Sequence, residues 1–240
     1  MSIKIENTQV FGWEAAIRGA RNPMNSWEKS DTFWLDVDNG DYQTIEGNQG
    51  PFYHFNDEDM MKEYNVDDFL LSGMYIGPND HKLLMNLCKG GTEESKWRRM
   101  VHVQMDVTAP SFWWPEFDAY KVGVTRNSCS KMHKLLSREF TTDDFGYEDG
   151  DPYGVSVATT FNYARNEYLK EEDPIKKKWI WYQILRDLPM CYMQKATIDL
   201  NYEVLAAQYR QRKDHKLTEW LDYCNWTKSL PYSEFITMEK

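Results

Sequence analysis

The chain is 240 residues long, 41% hydrophobic and 15% aromatic, enough apolar material for a folded core, and this excludes a disordered chain. Its formal charge of −10 would repel a phosphate backbone and argues against general nucleic-acid binding. No apolar run approaches the roughly 18 residues of a membrane span, and the start, Met1-Ser2-Ile3-Lys4-Ile5-Glu6, lacks the apolar stretch of a signal peptide, so a cytoplasmic protein with no membrane partner is expected.

In chain order, residues 36–80 are rich in Asp, Gly and Asn and carry the acidic cluster Asp57, Glu58, Asp59, Glu63, Asp67 and Asp68. They read as an irregular, solvated insertion with short helices. A helix is expected from His81 to Cys88, between Pro78-Asn79-Asp80 and Gly90-Gly91. A second should begin near Thr92, which offers a cap followed by first-turn acids. Val101, Val103, Met105 and Val107 alternate with polar residues, the period of a half-buried strand, which Pro110 ends. A short helix is expected near Pro115, reaching about Tyr120. Val122 to Asn127 reads as extended, Gly146 to Gly154 as loop, and 156–170, 176–187, 201–213 and 215–228 as helices. Met190 to Leu200 fits strand or helix. The fold class is α+β, more helix than strand, in a single domain over 1–240 with its acidic insertion at about 36–80.

The cysteines, Cys88, Cys129, Cys191 and Cys224, are far apart and form no CxxC pair, so free thiols are expected rather than zinc or a disulfide framework. No Walker loop, GxGxxG or HExxH is present. The acids Asp143, Asp144, Glu148, Asp149 and Asp151 miss the EF-hand spacing, and no metal is expected. Phe112, Trp113, Trp114 and Phe117 suit a core or a subunit contact better than a stacking platform. Lys176-Lys177-Lys178 reads as a solvated helix face. Arg18 and Arg21 offer a phosphate clamp or, more simply, surface pairs.

Several polar residues have two readings. Arg186 and Arg212 present rigid donor forks that match phosphate and uracil oxygens, or they pair with Asp187 and Asp214. Ser130 precedes a possible helix from Lys131 to Leu136, where a hydroxyl and free N–H groups can hold phosphate or simply cap. His215, three residues after Arg212, shares its face if the helix is continuous, or it meets a helix dipole. Asn201 is a natural N-cap of the helix that follows.

Ile184-Leu185-Arg186-Asp187-Leu188-Pro189, then Lys195-Ala196-Thr197, Asn201, Arg212, His215 and Glu219-Trp220 follow the order of one family's signature. In this the chain resembles the flavin-dependent thymidylate synthases over about 92–222. Their central motif, Arg-His-Arg-x-x-Ser-x-Asn/Gln-x-x-Ser-x-Arg-Tyr, falls on Tyr120 to His133. Asn127 and Ser130 match it, Thr125 replaces a serine, Tyr120-Lys121-Val122 replace Arg-His-Arg, and Met132-His133 replace Arg-Tyr. The resemblance implies a helix-rich fold with a small central sheet and a homo-oligomer, most simply a tetramer. It further implies that Arg186, Arg212, Ser130 and Asn127 hold a pyrimidine nucleotide, while His215, Asn201, Tyr120 and Lys121 lie beside FAD. The activity implied is flavin-dependent methyl transfer to dUMP, with a folate as co-substrate. With the flavin-holding triplet replaced, a non-catalytic protein that binds or sequesters a nucleotide is the alternative.

Overall fold

The computed structural model describes residues 3–36, 41–44, 49–51 and 73–238. Its early elements are strand β1 (Lys4–Phe11), helix α1 (Trp13–Arg21), strands β2 (Phe33–Asp36), β3 (Asp41–Thr44), β4 (Gln49–Pro51) and β5 (Met74–Tyr75), and helix α2 (Pro78–Gly90). The middle holds β6 (His102–Pro110), α3 (Trp114–Phe117), β7 (Thr125–Ser128), α4 (Lys131–Lys134), α5 (Pro152–Lys170) and α6 (Pro174–Asp187). The chain closes with β8 (Met193–Asn201), α7 (Tyr202–Arg212), α8 (Thr218–Lys228) and α9 (Glu234–Thr237). This is an α+β, helix-rich fold with two small sheets, ordered β1-β6-β8-β7 and β4-β3-β2-β5. The chain divides into two compact units.

The first unit comprises Met1–Glu6, Asp106–Lys121 and Arg126–Ile198. Its long helices start at Asp-Pro steps. Asp151 and Asp173 each accept two backbone N–H bonds from the first turn, and Pro152 and Pro174 supply a preset φ where no N–H is needed. These starts lie four and two residues before those expected from apolar periodicity, because the caps and not the apolar stripe set them. Leu135, Phe140, Phe145, Ala158 and Ile184 form the core against which the helices close. Trp113, Trp114 and Phe117 are buried and packed on one another, as a core element should be.

The second unit comprises Asn7–Met105, Val122–Thr125 and Asp199–Lys240. Trp13 is its hub, meeting Tyr202 and Tyr232 edge-on at 5.1 and 5.3 Å between ring centres. Gly12 precedes it at φ +95°, and any Cβ there would collide with the Met100 carbonyl. Val101, Val103 and Met105 are buried, which bears out the period-two reading of this stretch.

Several expectations change. Much of the described part of 36–80 is extended rather than irregular, with Pro78–Asp80 opening α2: β2 pairs antiparallel with β3 (Phe33 opposite Thr44), β3 with β4, and β2 with β5 (Phe33 opposite Tyr75). These strands are two to four residues long, too short for alternation to announce them. The acidic cluster at 57–68 lies outside the described residues. The helix placed at Thr92 is a 3₁₀ stretch, Glu94–Met100, without a side-chain cap. Met193–Asn201 resolves as strand.

Arg21 is neither a phosphate clamp nor a surface pair. Its Nε donates to Asp80 Oδ1 at 2.5 Å, and its other nitrogens donate to the Ser26 and Lys29 carbonyls. Asp80 Oδ2 accepts from the Ser30 and Thr32 hydroxyls and the Asp31 N–H. Both side chains are buried, and the pair ties α1, the 26–32 segment and α2 together. Arg18 does form the surface pair, with Glu14 at 2.7 Å.

Candidate functional site

In the first unit, β7 leads into a segment held at both of its backbone faces by β8. The Cys129 N–H donates to the Lys195 carbonyl at 2.9 Å, and the Cys129 carbonyl accepts from Gln194 Nε2 at 2.9 Å. Ser130 follows, at the start of α4, and its hydroxyl makes no capping bond. The capping alternative for Ser130 therefore fails. Its side chain instead lines a cavity of about 420 Å³ together with Lys131, Lys134, Arg138, Asp144 and Lys195.

The charges of this cavity are unequal in how they are compensated. Arg138 grips Asp144 with two parallel bonds, at 2.7 and 2.5 Å. Burial pushes the Asp144 carboxyl up, but Arg138 and the bonds from Thr141 outweigh it and hold the group below its ordinary range. Thr141 and Asp144 form a reciprocal capping box on the turn Thr142–Phe145. Lys195 lies 3.2 Å from Asp106 and 3.6 Å from Glu6, and the Asp106 bond pushes its ammonium up. Lys131 is different. Among the described residues its Nζ reaches only the Ser111 hydroxyl, at 3.4 Å, and burial and then the charge of Arg126 push it down. Lys134 forms no ion pair among the described residues. A half-buried ammonium beside a like charge is stabilised by any anion brought to it, so the cavity is suited to a phosphate or carboxylate.

The depressed Asp144 carboxyl gives a pH expectation. A group with a lowered folded pKa adds stability above its unfolded value and loses it as pH falls through the folded one. Wild type should therefore exceed Asp144→Asn in melting temperature at neutral pH, and the gap should close below the ordinary carboxyl value of 3.8. Paired thermal melts across the acid range check this; a pH-independent gap would show that the charge is not what stabilises.

The other nucleotide candidates of this unit do not line the cavity. Asn127 is exposed on β7, and Arg186 is exposed in the last turn of α6 with no ion pair to Asp187. Tyr120 is half-buried and donates its N–H to the Phe117 carbonyl at 3.1 Å. Lys121 is exposed. Arg126, which sequence reasoning passed over, lies 4.6 Å over the Trp114 ring and 3.1 Å from Asp118. Lys131, Lys134, Arg138 and Lys195 were missed as well. The signal was there for three of them, in basic residues at 131, 134 and 138 directly after two serines.

In the second unit, Arg212 and His215 meet, with NH1 and Nε2 3.1 Å apart. They do so across a turn and not along one helix: α7 ends at Arg212, and the His215 N–H closes the turn onto the Arg212 carbonyl at 3.0 Å. His215 Nδ1 lies 3.2 Å from the Leu217 N–H. The Arg212 guanidinium lies 4.6 Å over the buried Trp220 ring, which fixes the plane of its fork. Asn201 does cap α7, its Oδ1 accepting from the Val204 N–H at 3.1 Å. Its amide also packs under Gly123, φ +78°, where a Cβ would come within 2.9 Å of Nδ2. Among the described residues no group of three or more His, Cys, Asp or Glu side chains could hold a metal, and no helix is long and apolar enough to cross a membrane.

No family model matches the sequence, and no curated protein matches it. Solved structures do. Two crystal structures of the flavin-dependent thymidylate synthase ThyX from Helicobacter pylori, each with FAD and dUMP, superpose at a TM-score of 0.60 and 13% identity. Each match covers 100% of this chain and 98% of the other, so the likeness extends through the N-terminal third, where the sequence offered no correspondence. At that identity the shared property is architecture: this chain has a ThyX-like fold.

Proposed function

We propose that this protein binds a uracil-type nucleotide, with the phosphate held in the basic cavity beside Ser130. The observation that carries the reading is a pair of ammonium groups, Lys131 and Lys134, with no ion pair among the described residues, on a cavity that Ser130 also lines. The fold supports it, because the ThyX structures of the same architecture hold dUMP. Arg186, Arg212 and Asn127 enter the reading from the sequence resemblance. Calorimetric titration with dUMP, UMP and dTMP tests it; no heat and no thermal shift with any of them would sink it.

Arg212 supplies a second test. Its fork is already oriented by Trp220 and His215, so a ligand would meet it with little ordering cost. Arg212→Ala should weaken nucleotide binding about ten- to hundredfold, a charge-assisted contact being worth roughly 1.5–3 kcal/mol. Arg212→Lys should recover little, since an ammonium does not copy the planar fork. Unchanged affinity in a folded Arg212→Ala protein would reduce this arginine to a packing role.

Flavin-dependent methyl transfer to dUMP, with a folate as co-substrate, would require FAD to be gripped at Tyr120-Lys121-Val122. The turn there offers one exposed ammonium, Lys121, and a valine that is 91% exposed, which does not fit a large dianionic cofactor. This misfit favours the second reading, a non-catalytic nucleotide-binding or sequestering protein on the same fold. The absorption spectrum of the purified protein separates the two: a stoichiometric flavin band would restore the enzyme.

A further inference from the structure

A groove of about 550 Å³ lies between α5 and α6 in the first unit, a volume within the range of small-molecule sites. Its apolar lining comes from Phe161 and Ala164 of α5 and from Ile180 and Ile184 of α6. Trp179, Gln183 and Asp187 line it as well, and their spacing of four residues places them on one face of α6. Trp179 is 63% exposed. Among the described residues, the Gln183 amide and the Asp187 carboxylate have no hydrogen-bond or ion-pair partner. Asp187 is also the last residue of α6, where the negative end of the helix dipole disfavours a carboxylate that no donor offsets. We infer that this groove binds a guanine-type base, stacked on Trp179 with its edge met by Asp187 and Gln183.

The chemistry of the three side chains selects the base. An indole offers a flat apolar face to a ring, and the apolar lining takes the rest of the ring surface. A carboxylate only accepts hydrogen bonds, with two oxygens side by side, so the matching edge carries two adjacent N–H donors. Guanine has that edge in N1–H and its 2-amino group. Adenine and cytosine place an acceptor nitrogen beside the amino group, and uracil flanks its N–H with carbonyls, so each of these brings a lone pair against Asp187. The Gln183 amide supplies a donor for the guanine carbonyl. A guanidinium has the same paired donors and also stacks on indole, but an arginine side chain is much smaller than the groove. None of these residues lines the cavity beside Ser130, and a nucleoside has no phosphate to place there, so this inference and the uracil-nucleotide reading fail separately.

Calorimetric titration with guanosine, inosine, adenosine and argininamide tests it. Guanosine should bind, inosine should bind about tenfold more weakly for want of the 2-amino donor to a charged acceptor, and adenosine should give no heat. Asp187→Asn, at an exposed position, should weaken guanosine about tenfold and bring it level with inosine. Trp179→Ala should weaken guanosine and inosine alike, with unchanged far-ultraviolet dichroism in both variants. No binding of guanosine up to its solubility limit overturns the proposal, as does adenosine binding as tightly as guanosine or a folded Asp187→Asn protein with unchanged affinity. Argininamide binding more tightly than guanosine would overturn it in favour of an arginine-bearing protein partner.

Discussion

Asp80→Ala is expected to destabilise the second unit by about 3–5 kcal/mol, the usual cost of leaving one member of a buried ion pair without its partner. The size follows from burial and from the number of bonds lost. Asp80 is fully buried and Arg21 nearly so, and the carboxylate accepts from Arg21, Ser30, Asp31 and Thr32 together. Its removal strips the carboxylate from a guanidinium that cannot shed its charge and from two hydroxyls, that of Thr32 buried and that of Ser30 partly so. The readout is urea denaturation with amide exchange in α1 and α2, since these helices and the 26–32 segment are what the pair joins. Replacing both members with apolar residues, Arg21→Met with Asp80→Leu, should recover a large part of the loss, because the desolvation of two charges disappears with them. A loss below about 1 kcal/mol for Asp80→Ala, the size of an exposed pair, would mean that water reaches the pair.

Lys131→Glu should weaken nucleotide binding more than any other single change, by roughly thirtyfold to several hundredfold. At about 4 Å and an effective dielectric of about 20, one unit charge acts on another with about 4 kcal/mol. The substitution turns that attraction into repulsion, while solvent and salt screen part of it. Lys131→Met should cost about tenfold, removing the charge and keeping the stem. The substitution should spare the fold, because among the described residues Lys131 makes one long bond, to Ser111, and no ion pair. It should even relieve the repulsion from Arg126 that pushes the ammonium down. Calorimetry with dUMP at two salt concentrations checks the effect and its electrostatic origin. Affinity within threefold of wild type in the folded Lys131→Glu protein would remove the phosphate from this cavity.

Apolar periodicity determined β6 and the existence of the long C-terminal helices, because burying one face of an element leaves a repeat of two or of 3.6 that no neighbour is needed to reveal. Local chemistry in the chain also marked Asn201 as a cap and the Asp-Pro steps as helix starts, although the latter went unread. The tertiary structure alone decided the rest. Arg21 and Asp80 are 59 positions apart, and neither carries any sign that the other exists; read singly, a buried arginine looks like every surface arginine. Lys131 fills an unspecified position of the flavin-family motif and Lys134 directly follows it, and only the return of β8 behind them closes a cavity. Arg212 and His215 suggested a shared helical face, yet they meet because the helix stops between them. Ionic partners and pockets are set by distances between remote segments, and a single sequence holds no record of those distances.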